Sequence, residues 1–493
     1  MKTRLLIILS LSLSVLTLHS QNQEDALRYG KTSLVGSARY MAMGGAYGSI
    51  GADFSALSVN PAGIGMFRRS EFAFTPLITF SETEATYFSQ MRDDSKYNLG
   101  LGNIGFVLSS DLSGNAQSSG WQRIQFGFGL NRINNFSNRV FIQGFNDNSS
   151  LMTGYVHQAD GFAPDNLNQF TTQLAYDAWL IWPEDDTEDY FYQTDAYFGG
   201  VNQQQTITTS GSMSEMLFTV GSSYNDRLYL GASVGIPYIR YKYESEYTET
   251  DTDNRYAEFN SLTRRENIET SGTGVNLKLG AILRATDWLR LGAAFHTPTF
   301  YSNMRDDWSY SMKSELFLDN KIENRSAQSQ PGRFDYELTT PMKAIGSATI
   351  LFGKSGLVSA EYEFADYSEM KLNSSSFKFV DENQTIRDEY TAAHNLKLGT
   401  EWRLNDVYFR GGYAIYGSPY KSGVNDGATD QLSLGIGLRQ QDYYVDFAWV
   451  SSSYKEDKYM YWVPEGEGLD FSTPVANQTF NRQLFMLTLG WRF

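Results

Sequence analysis

The stretch that decides the fold closes the chain: Phe485-Met486-Leu487-Thr488-Leu489-Gly490-Trp491-Arg492-Phe493. Its odd-numbered positions are all apolar, whereas the even-numbered ones include a threonine, a glycine and an arginine. Successive side chains of a β-strand point to opposite faces, so a period of two predicts a strand with one apolar face. The sequence therefore predicts that the chain ends in a β-strand.

The same one-sided alternation recurs upstream, for example at 124–131, 289–296, 396–403 and 432–439. Together these stretches predict an all-β protein of about fourteen strands, an even number as bacterial outer-membrane barrels require. The predicted strands are 70–80, 98–109, 121–135, 213–224, 227–246, 270–285, 287–301, 335–352, 356–370, 391–404, 406–418, 429–440, 442–454 and 481–493.

Short and long connections join the predicted strands in turn. The short ones are Asn225-Asp226, Ala285-Thr286, Gly353 to Ser355, Asn405 and Gln440-Gln441. The long ones lie near 136–212, 247–269, 302–334, 371–390 and 455–480. Alternation alone fits a soluble sandwich as well, but short turns at one end and long loops at the other are typical of transmembrane barrels. We therefore predict a transmembrane antiparallel β-barrel over residues 70–493, with both of its ends on the periplasmic side.

Composition supports this fold and excludes several functions. The 493 residues include 32 Tyr, 32 Phe and 43 Gly but only 11 Pro, which favours strands over helices. The absence of cysteine excludes disulfides and thiolate metal sites. A net charge of −16 argues against a nucleic-acid partner, because binding phosphates requires clustered Lys and Arg.

Residues 1–20 have the pattern of a secretory signal. Lys2 and Arg4 precede an apolar run from Leu5 to Leu18, and the small residue Ser20 marks the expected cleavage position. The alternative is a membrane anchor, but the run is shorter than the roughly 20 residues that a spanning helix needs. Beyond Ser20 there is no apolar run long enough for a helix to span, so membrane insertion has to occur through strands.

Residues 21–69 do not alternate and are rich in small residues, so we predict a compact hatch, or plug, inside the barrel. Asp53 is expected to cap a short helix over 54–59 that Pro61 prevents from continuing. A periplasmic tether is the alternative. A nucleotide-binding loop is excluded, because Gly44 and Gly45 do not fit a GxGxxG pattern.

Two resemblances add to these inferences. The closing strand resembles the terminal signature of bacterial outer-membrane proteins, which implies that the barrel-assembly machinery recognises Trp491 and Phe493. The run Ala-Arg-x-x-x-Met-Gly-Gly-Ala at 38–46 and the motif Asn60-Pro61-Ala62-Gly63 resemble the outer-membrane transporters of long-chain fatty acids and aromatic hydrocarbons (the FadL/TodX family). Weaker matches lie at 287–292, 411–413 and 418–419.

The family resemblance implies a fourteen-stranded barrel with an N-terminal hatch, in which Gly44, Gly45 and the 60–63 motif belong to the hatch. It also implies that hydrophobic substrate is captured outside, enters a luminal pocket and leaves sideways where the third strand is distorted. Gly127 and Gly129 are the candidates for that distortion, although strand glycines also allow close packing. The sequence departs from the family in one respect: the longest loop here follows the third strand, whereas the family's capture groove is usually built by later loops.

Catalytic and metal sites are not expected. His157 and His296 lack a nucleophile or carboxylate at a defined spacing, and Glu361 and Glu363 fit the polar lumen of a barrel. Asp251, Asp253 and Asn254 begin like a calcium loop, but Leu262 occupies the position that needs a glutamate. The sequence therefore predicts no enzyme activity, no cofactor and no metal.

A cluster of large apolar residues, Trp179, Leu180, Ile181 and Trp182, lies in the longest predicted loop. We expect it either to pack against neighbouring loops or to line a ligand-entry site.

From these observations we predict a monomeric outer-membrane protein, in contact with membrane lipid, that carries hydrophobic small molecules passively through a plugged lumen. The alternatives are a structural or adhesive barrel and a haem receptor.

Overall fold

A computed structural model describes residues 22–112, 119–184, 190–464 and 473–493. The signal sequence expected over residues 1–20 lies outside this range.

The described residues form a closed antiparallel barrel of fourteen strands, which confirms the predicted fold. The barrel closes because the first strand pairs with both the second and the last, with Glu71 opposite Arg492 at the seam. The strands are β1 (Glu71–Tyr87), β2 (Gln90–Asp111), β3 (Trp121–Asn135 and Asn138–Asn146), β4 (Val201–Tyr224), β5 (Leu228–Thr250), β6 (Phe259–Arg284), β7 (Leu289–His296 and Phe300–Leu318), β8 (Lys321–Gln328, Gly332–Thr339 and Lys343–Phe352), β9 (Gly356–Asp366 and Lys371–Asn373), β10 (Ala392–Leu404), β11 (Val407–Tyr416), β12 (Thr429–Arg439), β13 (Tyr443–Tyr459) and β14 (Val475–Arg492).

Several strands extend beyond their predicted ends. Most of the predicted loops 247–269 and 302–334 are strand; the second is interrupted by a short turn at Asp319 and Asn320 and by a break at 329–331. Where these extensions lie beyond the bilayer, the outer face is polar: Glu244 and Glu246 lie on the outer side of β5 there, whereas Tyr247 on its inner side is buried. Because the apolar outer face ends with the lipid, the pattern that predicted the strands disappears although the strands continue.

The outer surface carries a belt of exposed apolar side chains, among them Leu230, Val234, Leu277 and Leu279. Aromatic pairs mark its two rims: Phe72 with Trp491 near the short turns and Phe80 with Tyr97 near the long loops, with ring centroids 5.9 and 4.6 Å apart. This arrangement matches the lipid-facing surface of a transmembrane barrel. No helix among the described residues has the length and apolarity to cross a membrane.

Helices occur between and before the strands. The N-terminal segment, residues 22–69, contains α1 (Gln23–Gly30), α2 (Ala38–Ala42) and 3-10 turns at Ser55–Ser58 and Pro61–Met66. A capping box between Asn22 and Asp25 starts α1. The cap, which comprises the described part of 147–200 between β3 and β4, contains α3 (Leu151–Ala159), α4 (Thr172–Asp177), the 3-10 turn Pro164–Asn166 and the two-residue strand pair Trp182–Pro183 and Tyr192–Gln193. Another 3-10 turn, Tyr367–Glu369, lies between the two segments of β9, and α5 (Val380–Glu389) connects β9 to β10.

The N-terminal segment lies inside the barrel, and glycines on the strands make room for it. A methyl group at any of six of them would collide with the segment; they are Gly231, Gly280, Gly292, Gly399, Gly412 and Gly435, on six different strands. Strand glycines allow such close backbone approach. The lumen is thus filled from the turn end, and the cap covers it at the loop end with its own buried core.

Candidate functional site

The wall of the barrel is interrupted between β2 and β3. Residues 103–111 of β2 pair with residues 123–131 of β3 in a regular ladder. Beyond this ladder, residues 90–102 of β2 pair with β1 alone, and the second segment of β3, Asn138–Asn146, pairs with β4 alone, as far as the structure describes the chain. The loop-end half of the wall therefore has a gap between these two strands.

The gap exists because β3 turns inward. Its pairing with β4 shifts register between Arg132 and Asn134, and the strand then lies against the inner face of β1. Asn135 Nδ2 donates to Thr79 Oγ1 over 3.3 Å, and Ser81 Oγ donates to the carbonyl of Ser137 over 3.3 Å. The extra residue of such a bulge bends the strand.

The N-terminal segment pairs with β3 at the turning point. The backbone N–H groups of Ser33 and Val35 donate to the carbonyls of Ile133 and Arg132, each over 2.8 Å. These bonds satisfy two backbone carbonyls of β3 that have no hydrogen-bond partner on β2. The N-terminal segment is thus bonded directly to the strand that leaves the wall.

The sequence-based position of the distortion is corrected. Gly127 and Gly129 lie in the regular ladder, opposite Val107 and Gly105. Both glycines face the N-terminal segment: a Cβ at Gly127 would lie 2.9 Å from Ile64 Cδ1, and one at Gly129 would lie 2.5 Å from Phe54 Cζ. They allow close packing inside the barrel, and the strand leaves the wall only after Asn131.

Polar side chains bridge the gap near its loop end. Arg139 forms an ion pair with Asp94 at 3.1 Å, and Lys96 Nζ donates to the carbonyl of Thr209 over 2.8 Å. Arg92 Nε donates to Gln143 Oε1 over 2.9 Å. These contacts tie β2 to the displaced strand and to β4 without forming a backbone ladder.

A pocket lies in the lumen behind the gap. Leu34 and Ile133, which flank the turning point, line it together with Tyr29 from α1. Its far side carries charged residues in pairs: Lys278 lies 2.5 Å from Glu215, and Lys343 lies 3.5 Å from Glu363. The luminal pocket is therefore adjacent to the gap and is lined by both apolar and polar groups.

The residues considered for acid–base chemistry bind the N-terminal segment. His296 Nε2 lies 2.8 Å from the carbonyl oxygen of Val59. Glu361 accepts hydrogen bonds from the backbone N–H groups of Tyr47 and Gly48 over 3.1 and 2.7 Å, and Lys397 lies between Glu361 and Glu363 at 2.9 and 3.1 Å. All these groups have partners within the protein, and their arrangement fixes the segment to the wall.

The predicted hatch motif contacts the wall as well. Asn60 Nδ2 donates to the carbonyl of Gly48 over 2.6 Å and to that of Ala281, on β6, over 3.2 Å. Its Oδ1 accepts from Ala62 N over 3.1 Å, and Pro61 begins the 3-10 turn that includes Gly63. Gly44 and Gly45 adopt positive φ of 63° and 77°; Gly44 lies against β10 and β11, and Gly45 lies against the ring of Tyr40. The short helix expected over 54–59 is the 3-10 turn Ser55–Ser58, whose N-cap residue is Phe54, and Asp53 Oδ1 accepts from Ser55 N over 2.9 Å.

A second pocket lies between the cap and the strands. It is lined largely by aromatic residues, among them Tyr155, Phe170, Trp308, Tyr310 and Trp462. Trp308 and Tyr310 are two residues apart on β7, and this spacing puts their side chains on the same face of the strand. We refer to this site as the cap pocket.

The predicted entry cluster does not line the cap pocket. Leu180 and Ile181 are only 2% and 1% exposed and belong to the core of the cap, so packing explains them. Trp179 is 49% exposed and lies under the guanidinium of Arg325, 3.8 Å away. Trp182 belongs to the short strand pair.

Haem and metal ligation find little support. His157 Nε2 lies 2.6 Å from the hydroxyl of Tyr197, and His296 is buried beneath the N-terminal segment. Within the described ranges, no three His, Cys, Asp or Glu residues come together as a metal site.

Comparison with known proteins adds evidence from structure alone. No family model matches the sequence, and no curated protein matches it. Among solved structures, a FadL homologue from Pseudomonas aeruginosa is similar, with a TM-score of 0.55 and 13% identity over 94% of this chain and 99% of that one. The toluene transporter TodX of P. putida gives a TM-score of 0.54 at 13% identity, and the toluene transporter TbuX of Ralstonia pickettii gives 0.51 at 14% identity, both over 94% of this chain and 99% of theirs. In its fold, this chain is thus a structural relative of the FadL homologue and of the toluene transporters.

Proposed function

We propose that the protein is a passive transporter of hydrophobic small molecules across the bacterial outer membrane. The observation that carries this proposal is the gap between β2 and β3, behind which the luminal pocket lies. A barrel that only supports the membrane or binds a partner through its loops has no need for an interrupted wall. The toluene transport named for two similar structures supports the same class of substrate.

The pockets suggest an order of steps. An apolar molecule first binds the aromatic cap pocket at the extracellular end. It then enters the luminal pocket beside Leu34 and Ile133 and leaves through the gap into the membrane. Transport follows the concentration gradient, because nothing in this route requires an energy source.

The N-terminal segment acts as a hatch in this proposal. It fills the lumen and is bonded to β3 at the turning point, so a shift of residues 33–35 changes access from the luminal pocket to the gap. Ligand binding favours whichever arrangement of the segment binds the ligand better. The filled lumen also argues against the adhesive alternative, for which an empty or wholly polar lumen is expected. Trp491 and Phe493 at the turn-end rim remain the proposed assembly signal.

The gap can be blocked by a single substitution. Gly100 lies on β2 where that strand has no partner on the gap side, and Gly100→Trp places an indole in the opening. Uptake of toluene and of dodecanoate into proteoliposomes is expected to fall at least tenfold. Gly346→Trp is the matched control, since Gly346 lies on the outer side of β8 and a Cβ there meets nothing within 4 Å.

Two outcomes would contradict the proposal. One is uptake by the wild-type protein no faster than in protein-free liposomes. The other is equal uptake by the two tryptophan variants, both shown to be folded by heat-dependent migration on a denaturing gel. The second outcome would mean that substrate leaves by another route.

A further inference from the structure

The guanidinium of Arg132 lies in the gap itself. Arg132 pairs with Ser214 and lies on the same outer side of β3 as Leu130, two residues earlier. Its side chain reaches Gly100 of β2, where a Cβ would lie 2.6 Å from Arg132 Nη1. Gly100 pairs with Leu77, whose side chain is buried on the luminal side of β1. The guanidinium is therefore between the outer side of β3 and the inner side of β2.

Arg132 has no counter-ion in the described part of the chain. Its guanidinium forms neither an ion pair nor a hydrogen bond there, and its Nε is buried without a partner. By contrast, the neighbouring Arg139 is paired with Asp94, and Arg39 in the lumen is paired with Glu401 at 2.7 Å. A guanidinium presents five N–H donors that all favour an anionic acceptor.

Arg132 also lies at the depth of the apolar belt. The neighbouring pair Leu99 and Ile78 has exposed apolar side chains on the outer surface, and the aromatic pair Tyr97 and Phe80 lies one step closer to the loop end. Burying an arginine at this depth without a counter-ion is unfavourable. An ionisable residue in such a position indicates a functional site, and an anion is the partner that the guanidinium donors favour most.

We infer that Arg132 is a specificity residue that binds the oxyanion of an amphiphilic molecule in the gap. The inference rests on the proposed function, because it requires that molecules leave by this opening. A carboxylate accepts two parallel hydrogen bonds from a guanidinium, while its apolar tail contacts belt residues such as Leu99. The protein therefore favours amphiphilic anions over neutral molecules of the same length.

The oxyanion belongs to the transported molecule and not to a membrane lipid. Lipid phosphates lie at the headgroup level, where the aromatic rims of a barrel are found. Arg132 is deeper than the rim pair Tyr97 and Phe80 and is held against Gly100. Ile133, the next residue, lines the luminal pocket, so a molecule that leaves the pocket meets Arg132 next.

The test compares two probes with the same chain, dodecanoate and dodecanol, in uptake by proteoliposomes. The measured quantity is the ratio of the carboxylate rate to the alcohol rate. Arg132→Gln is expected to lower this ratio about tenfold. Arg132→Lys is expected to lower it less, because lysine keeps the positive charge but lacks the planar pair of N–H donors that matches a carboxylate. Arg333→Gln is the matched control: Arg333 is exposed and paired with Asp307 on the surface.

Each contrary result has a distinct meaning. If Arg132→Gln leaves the ratio unchanged, or lowers both rates equally, Arg132 does not select the oxyanion. If purified wild-type protein retains lipid phosphate that Arg132→Gln loses, the ligand is a membrane lipid, and the inference is overturned. If neither probe enters faster than in protein-free liposomes, the proposed function itself fails.

A second variant keeps the test valid if Arg132→Gln does not fold. Gly100→Ala adds a methyl group 2.6 Å from Arg132 Nη1 and has to displace the guanidinium. It is expected to lower the same uptake ratio while Arg132 keeps its charge. An unchanged ratio in folded Gly100→Ala protein would contradict the placement of the oxyanion site.

Discussion

The carboxylate of Glu361 holds the N-terminal segment to the wall, so Glu361→Ala is expected to loosen that segment. The Glu361 side chain is fully buried and accepts two hydrogen bonds from the backbone of Tyr47 and Gly48. It also pairs with Lys397, which keeps Glu363 as a second partner at 3.1 Å after the substitution. The main loss is therefore the attachment of the segment, and the charge of Lys397 remains compensated.

The magnitude follows from these contacts. Hydrogen bonds to a charged group contribute about 1.5–3 kcal/mol each, so the loss of two of them costs about 3–6 kcal/mol. Because about 1.4 kcal/mol corresponds to a factor of ten, the population with the segment released rises by roughly one hundred to twenty thousand fold.

The chain has no cysteine, so a single introduced thiol reports this release without background. Ser49 lies in the segment and is completely buried, and Ser49→Cys is a nearly isosteric probe. Maleimide labelling of Cys at this position is expected to accelerate by the same factor in Glu361→Ala. Glu323→Ala is the control, because Glu323 is exposed beside Arg325. Labelling rates within threefold of each other in folded wild type and Glu361→Ala would refute the reasoning.

Three further substitutions test other parts of the structure. Gly280→Ala puts a methyl group onto Asn60 and is expected to lower the yield of folded barrel severalfold on heat-shift gels, whereas Gly346→Ala, which meets nothing within 4 Å, is not. Phe170→Ala removes an aromatic wall of the cap pocket and is expected to raise the half-saturating toluene concentration about tenfold without changing the maximal uptake rate. Glu249, beyond the apolar belt, accepts a hydrogen bond from the backbone N–H of Leu151, the first residue of α3, over 2.8 Å. Burial raises the pKa of Glu249, so the stability that it contributes to the cap is complete below the unfolded pKa of about 4.3 and is lost as pH rises through the folded pKa. Hydrogen exchange in α3 is therefore expected to accelerate, as pH rises through that window, by more than its intrinsic pH dependence. Glu249→Gln is expected to remove this additional acceleration.

The barrel was predictable from the sequence because lipid imposes a simple pattern. Every stretch that contacts lipid on one side has to alternate, as residues 485–493 and 432–439 do. The tight turns were equally visible: Asn225 and Asp226 adopt positive φ of 49° and 50°, which asparagine and aspartate tolerate. Strand ends beyond the bilayer carry no such pattern and were missed.

The gap was not predictable at its correct position. Gly127 and Gly129 are conspicuous in the sequence, but their lack of side chains serves the packing of Phe54 and Ile64. The strand turns inward at residues 132–137, where no glycine or proline marks the change. Its cause is contact with β1 and with residues 33–35, which are distant in the sequence.

The entry site shows the same limitation. The apolar cluster 179–182 is prominent in the sequence, yet Leu180 and Ile181 are buried in the core of the cap. The residues that line the cap pocket come from the cap, β6, β7 and residues 460–462, just after β13. Their convergence depends on how strands far apart in the chain meet at one rim, which periodicity within each strand does not encode.

The inward turn of β3 has a mechanical consequence for the barrel. Since β1 pairs with β2 and with β14, it forms one side of the seam that closes the cylinder. The displaced part of β3 lies across the inner face of this same strand and bonds to Thr79 and Ser81. The displaced part of β3, which leaves β2 unpaired on one side, therefore stabilises the closing seam from inside the barrel. Separating β1 from β14 would also require the contacts between β3 and β1 to break.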